Sequence, residues 1–143
     1  SPPRGAAAEP GGFRPDAMIR RVKRILVVED YYALADIETL LCQMEGYEVK
    51  TAKTGEEGME LIDSYKPDLV ILDLMLPGEL SGTQVLERIR SDGKQEPKVL
   101  VVSALVNQTT APELEKYTNV QSLKKPFKVK ELASRVRTMV GPN

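Results

Sequence analysis

The chain of 143 residues has no histidine and a single cysteine, Cys42. These shortages exclude zinc sites built on His and Cys, and nucleophilic catalysis through Cys–His or Ser–His pairs. An internal disulfide is excluded as well. A metal would have to be a hard cation held by oxygen, such as Mg²⁺. Long apolar runs are also missing, and none approaches the ~20 residues needed to cross a bilayer. The N-terminus lacks an apolar signal segment, so a cytoplasmic location is expected. Nor is there an excess of one charge. Lys and Arg number 20 against 21 Asp and Glu, a net −1. That balance gives no bulk field for nucleic acid or a membrane. Basic residues cluster only at Arg20-Arg21-Val22-Lys23-Arg24 and between 124 and 130. The first cluster reads as a solvated segment beside a strand.

What is present is a regular alternation of strand and helix. Residues 1–18, rich in Pro, Gly and Ala, are expected to be a disordered extension, and 19–143 a single domain. Strands are expected at 24–28, 47–52, 69–73, 98–103 and 119–123. Helices are expected at 33–45, 55–65, 83–92, more weakly 107–118, and 128–140. In the first helix Leu34, Ile37, Leu41 and Met44 recur at spacings of three and four and are expected to face inward. Val85, Leu86 and Ile89 play that part in the third helix, Leu114 and Tyr117 in the fourth, and Val129, Leu132, Val136 and Met139 in the last. Gly46 is placed to end the first helix and Thr54 to cap the second. Pro112 is tolerable only in a first turn.

Three of the apolar runs end in residues that one reaction needs. Ile25-Leu26-Val27-Val28 leads into Glu29-Asp30, Leu69-Val70-Ile71-Leu72 into Asp73, and Val99-Leu100-Val101-Val102 into Ser103. Continuous β-branched runs are the mark of strands buried on both faces of a parallel sheet. Parallel strands put their C-terminal ends along one edge, where open α/β sheets bind ligands. Three carboxylates crowded there raise each other's pKa or demand a counter-ion, and Mg²⁺ suits such a set. Lys125, before Pro126, is placed to bring an ammonium to the same edge, and an X-Pro bond is cis at modest cost. Ser103 would supply a hydroxyl donor, with Ala104 leaving room beside it. Taken one at a time these are ordinary loop starts, and Lys124 in particular reads as a surface lysine coating the start of a helix.

From about residue 22 to 140 the chain resembles the receiver domain of bacterial two-component response regulators. The resemblance rests on Ile-Leu-Val-Val-Glu-Asp at 25–30, Val-Ile-Leu-Asp-Leu-Met-Leu-Pro-Gly at 70–78, Val-Val-Ser-Ala at 101–104 and Lys-Lys-Pro-Phe at 124–127. It implies an α/β, flavodoxin-like (βα)5 sandwich of three layers with a five-stranded parallel sheet of order 2-1-3-4-5. It implies that Asp73 accepts a phosphoryl group from a histidine kinase or a histidine phosphotransfer protein. Glu29, Asp30, Asp73 and the backbone carbonyl of Met75 would hold Mg²⁺; Ser103 and Lys125 would bind the phosphoryl oxygens. Such a domain catalyses only its own phosphotransfer and dephosphorylation, passes a signal to an output domain or protein, and is compatible with a homodimer. The donor's histidine belongs to another protein, in keeping with a chain that has none.

Departures from the family pattern carry expectations of their own. Ser122 stands three residues before Lys125, where many receivers have Tyr or Phe as a rotamer switch. A small polar side chain cannot reproduce the change in buried area of an aromatic, about 150–250 Å². The output signal is therefore expected to use another element, or the domain to relay phosphate. The loop 76–82 is one residue longer than the common form and is expected to bulge outward near the site. Met75 and Leu105 are apolar and cannot orient a water, so slow hydrolysis of the acyl phosphate is expected. Tyr31-Tyr32 is a candidate partner contact, with packing on the first helix as the alternative. With no recognition helix after Val140, DNA binding by this chain is not expected. The alternatives are an interaction module that no longer uses phosphate, and an Asp-dependent phosphatase. The phosphatase would need a second acid near Asp73 and a cap, and neither is present in the sequence.

Overall fold

The structure is a computed structural model that describes residues 21–142. The extension expected at 1–18 lies outside the described residues. In chain order the elements are β1 (Arg24–Val28), α1 (Tyr32–Met44), β2 (Glu48–Ala52), α2 (Gly55–Tyr65), β3 (Leu69–Leu72), α3 (Gly82–Ile89), a short 3-10 turn (Ser91–Gly93), β4 (Lys98–Ser103), α4 (Thr110–Leu114), β5 (Val120–Lys124) and α5 (Val129–Val140). All four strand pairings are parallel, and the sheet order is β2-β1-β3-β4-β5, as expected.

The strands form because their β-branched and leucine side chains alternate between two cores. Leu26, Val28, Val70, Leu72, Val99 and Val101 point to one face, where Val85, Leu86 and Ile89 of α3 and Leu114 of α4 cover them. Ile25, Val27, Leu69, Ile71, Leu100 and Val102 point to the other, beneath Ala35 and Cys42 of α1 and Leu132, Val136 and Met139 of α5. The result is three layers. Each such side chain stabilises the fold by about 1.5–3 kcal/mol relative to exposure.

Local signals behave as their chemistry requires. Thr54 Oγ1 accepts from the Glu57 N–H at 3.1 Å. Gly46, at φ +92°, ends α1 in a left-handed conformation that glycine adopts freely. Ser81 and Gln84 form a reciprocal capping box at the start of α3. Elsewhere the boundaries moved. The third helix stops at Ile89 rather than near residue 92, because Asp92 and Gly93 take positive φ. The fourth shrinks to Thr110–Leu114, with Pro112 in its first turn.

The inward stripe of α1 is displaced, whereas that of α5 keeps Leu132, Val136 and Met139 and loses one member. In α1 the buried residues are Ala35, Glu38 and Cys42, whereas Ile37 is 45% and Met44 72% exposed. In α5 Val140 is buried in place of Val129, which is 54% exposed. Both helices carry apolar residues over more than one face, and the sheet covers only one of them.

Candidate functional site

Register brings the strand ends together. Val28 lies opposite Leu72, and Leu72 opposite Val101. The residues that follow, Glu29 and Asp73, therefore leave the sheet side by side. The Asp73 N–H still donates to the Val28 carbonyl at 3.1 Å, and the Glu29 N–H to the Ala52 carbonyl at 3.0 Å. β4 runs further, so Ser103 projects from the same edge, and Ser103 is level with Lys124. Gly82 lets α3 start against this edge: a Cβ there would lie 2.1 Å from the Asp73 carbonyl oxygen. No other residue fits that approach.

Carboxylate oxygens of Glu29, Asp30 and Asp73 lie within 4.8 Å of one another, as expected from the sequence. Glu29 and Asp73 are buried and Asp30 is exposed. Lys125 bridges the two buried acids, its Nζ 2.6 Å from Glu29 Oε1 and 2.6 Å from Asp73 Oδ2. The Lys125–Pro126 bond is cis. The remaining oxygens are also held. The Tyr31 N–H donates to Glu29 Oε2 and the Met75 N–H to Asp73 Oδ1, each at 3.0 Å. Burial pushes the Glu29 carboxyl above its usual range, and the bonds from Lys125 and Tyr31 oppose that without cancelling it. Burial alone would pull the Lys125 ammonium down; its bonds to Asp73 and Glu29 outweigh this, and the net shift is upward.

The donor set suits a hard divalent cation. All three side chains offer oxygen, and one ammonium set against three carboxylates leaves negative charge uncompensated. Met75 is fixed at the site through its N–H, which positions its backbone beside Asp73. Ser103 is fully buried, and its Oγ accepts from the Leu105 N–H at 3.2 Å. Met75 and Leu105, both exposed, present apolar side chains at the mouth. The loop tip 77–79 is exposed, as expected of a longer loop, while Leu80 tucks back into the core. The Glu79 N–H donates to Glu56 Oε2 of α2 at 3.3 Å, so the tip leans on α2.

Ser122 is buried, and its hydroxyl donates to Glu115 Oε2 at 2.6 Å. Arg135 Nη1 donates to the Ser122 carbonyl at 2.9 Å. A polar clasp among β5, the end of α4 and α5 thus occupies the place where an aromatic would swing. Lys124, read as a surface coat, instead donates from Nζ to the carbonyls of Ala104 and Val106. Glu38 was not singled out from the sequence. It is fully buried on α1, neither oxygen has a hydrogen-bond partner, and burial, then the Glu29 charge, pushes its carboxyl up to about 8. Its signal was the four-residue spacing to Cys42, whose thiol burial pushes up to about 12 and so keeps unreactive.

Comparison with known proteins agrees with this geometry. The family model for the response regulator receiver domain matches residues 25–137. The chain is 35% identical over 121 residues to the DNA-binding response regulator MtrA of Mycobacterium tuberculosis, covering 85% of this chain and 52% of that protein. It is 35% identical over 121 residues to the transcriptional regulatory protein YkoG of Bacillus subtilis, covering 83% of this chain and 51% of that protein. The chain thus spans about half the length of these relatives. Among solved structures, the receiver domain of NtrX from Brucella abortus superposes with a TM-score of 0.72 at 28% identity, covering 81% of this chain and 97% of that one. A CheY-like receiver domain protein from Methanospirillum hungatei gives 0.73 at 26% identity, covering 84% and 94%. Five parallel strands in the order 2-1-3-4-5, an acidic edge bridged by a lysine, and the family match lead to one conclusion: the chain belongs to the response regulator receiver domain family of two-component signalling.

Proposed function

We propose that Asp73 is the phosphoacceptor of this receiver, taking its phosphoryl group from a histidine on a kinase or phosphotransfer protein. The observation that carries this is Lys125 Nζ held at 2.6 Å by both Glu29 and Asp73. An Asp73 oxygen attacks phosphorus, the P–N bond to the donor imidazole breaks, and the imidazole nitrogen leaves with the bonding pair. The product is an acyl phosphate. The Met75 N–H holds the Asp73 carboxylate in place for attack. Lys125 Nζ passes from Asp73 to a phosphoryl oxygen, and the Ser103 hydroxyl donates to another. Mg²⁺, held by Glu29, Asp30, Asp73 and the Met75 carbonyl, would neutralise phosphoryl charge.

The donor has a surface to dock on. An apolar groove of about 450 Å³ runs beside the site, lined by Tyr31, Leu34, Ile37, Phe127 and Val129, with Lys125 at its edge. Ile37 and Val129, two apolar residues expected in the core, line it instead. We assign the groove to the helix of the partner that carries the histidine, since Lys125, which lines it, is also bonded to Asp73. No described helix is long and apolar enough to cross a membrane, and we place the chain's work in the cytoplasm.

Incubation with phosphoramidate and Mg²⁺ should add one phosphoryl group by intact mass, absent in Asp73→Ala. Followed after donor removal, the adduct should outlast the first minutes, because Met75 and Leu105 orient no water. Failure of the unaltered chain to be modified under forcing conditions would support a phosphate-independent interaction module instead, built on the Ser122–Glu115 clasp.

A further inference from the structure

Lys124 closes β5 as an exposed residue, yet its ammonium is bonded to the backbone. It reaches the loop after β4 and donates to the carbonyls of Ala104, at 3.2 Å, and Val106, at 3.1 Å. Those two carbonyls bracket Leu105, whose N–H donates to Ser103 Oγ at 3.2 Å. Side-chain packing does little to hold this stretch. Ala104 is exposed and Leu105 is 47% exposed, so burial resumes only at Val106. The Thr110 hydroxyl holds the Leu105 carbonyl at 2.9 Å and the Val106 N–H closes onto the Ser103 carbonyl at 3.3 Å, while the Lys124 ammonium holds the Ala104 carbonyl, which shares a peptide plane with the Leu105 N–H. The direction of that N–H matters for the chemistry. A serine hydroxyl that accepts from a backbone N–H keeps its own proton to donate. With its oxygen accepting from the loop, the Ser103 hydroxyl keeps a proton that can be donated to an arriving acceptor.

We propose that Lys124 is a positioning residue for phosphorylation, fixing the 104–106 loop so that the Ser103 hydroxyl is held ready to donate to a phosphoryl oxygen. This rests on the reading of Asp73 as phosphoacceptor. It assigns the two adjacent lysines different work: Lys125 touches the acidic edge, and Lys124 acts one step back through the loop.

The test is the initial rate of phosphoramidate labelling of the full chain with Mg²⁺, read by intact mass. Lys124→Met keeps the aliphatic stem and removes the ammonium. It should lower the saturating rate by about tenfold, the equivalent of one oriented hydrogen bond, with half-saturation by phosphoramidate unchanged. Lys124→Arg keeps a charged donor and should restore most of the rate. The decisive comparison is a double-mutant cycle: in a Ser103→Ala background, Lys124→Met should have no further effect. A purely structural lysine would slow both backgrounds equally, and that result, or an unchanged rate in Lys124→Met alone, overturns the proposal. If the unaltered chain takes no phosphoryl group, the Asp73 reading fails and this one with it. Since Lys124 is exposed, these variants keep the fold; urea unfolding checks this.

Discussion

Two glutamates nine residues apart are both removed from water, and the chain treats them in opposite ways. Glu29 meets an ammonium through one oxygen and a backbone N–H through the other. Glu38, in the middle of the inner face of α1, meets neither. The comparison shows that burial alone does not set the charge of a carboxyl. Partners do: the same burial that raises both groups is opposed at Glu29 by Lys125 and Tyr31, and at Glu38 by no hydrogen bond at all. The paired acid becomes part of a charged edge suited to phosphoryl chemistry. The unpaired one remains mostly protonated at neutral pH and costs the fold stability.

Removing the partner at the first site should produce the largest change. Lys125→Met leaves Glu29 and Asp73 facing each other without their ammonium. Breaking a buried pair from one side should lower unfolding stability by about 3–5 kcal/mol in buffer free of divalent ions. Urea unfolding measures it, and a loss below about 1 kcal/mol would mean that the pair is solvated in solution, as exposed pairs are.

Removing the acid at the second site should act the other way. Glu38 has a carboxyl raised from 4.5 to about 8, so the folded state binds its proton more tightly than the unfolded state does. Below pH 4.5 both states are protonated and Glu38 costs nothing through ionisation. As pH rises from 4.5 to about 8 the unfolded state ionises first, and stability falls by about 1.4 kcal/mol per pH unit before levelling off. Glu38→Leu should abolish that slope and raise stability by about 3 kcal/mol at pH 7, with a smaller gain at pH 5. Urea midpoints from pH 5 to pH 8 check the trend, and an identical slope in the variant would show that Glu38 has a partner in solution.

A third acid marks the low end of the scale. Glu45 Oε2 lies 3.0 Å from Arg137 Nη1, and the side chains are 28% and 53% exposed. Water screens this pair, so Arg137→Ala should cost less than about 1 kcal/mol, diminishing further in high salt. The order Lys125, Glu38, Arg137 then measures what desolvation does to one kind of charge.

Much of the site was legible in the sequence because it depends on strand ends. Val28, Leu72 and Val102 are each the last apolar residue of a run, and parallel register carries whatever follows them to one edge. The chemistry of Glu29, Asp30, Asp73, Ser103 and Lys125 follows from their side chains once that edge exists. The orientation of α1 was less legible. Leu34, Ile37, Leu40, Leu41 and Met44 give it apolar residues over a wide arc, so periodicity allows several inner faces. Packing against the sheet and α5 selected the face that carries Ala35, Glu38 and Cys42, and buried the long Glu38 side chain with the two small ones. Ile37 was turned out towards the groove beside Lys125, where Val129 joins it from α5.

Lys124 and Lys125 show where the division falls. Adjacent and identical in type, they are indistinguishable by composition, and only Pro126 marks which is next to the turn. The sequence by itself determined the alternation of strand and helix, the absence of histidine and zinc chemistry, and the acidic edge, because these depend on side-chain type and on the two-residue period of a strand. Tertiary structure alone decided that one lysine reaches two carboxylates while its neighbour reaches two carbonyls, and that Glu38 is left without a partner. Those outcomes depend on distances between elements far apart in the chain, which no local pattern contains.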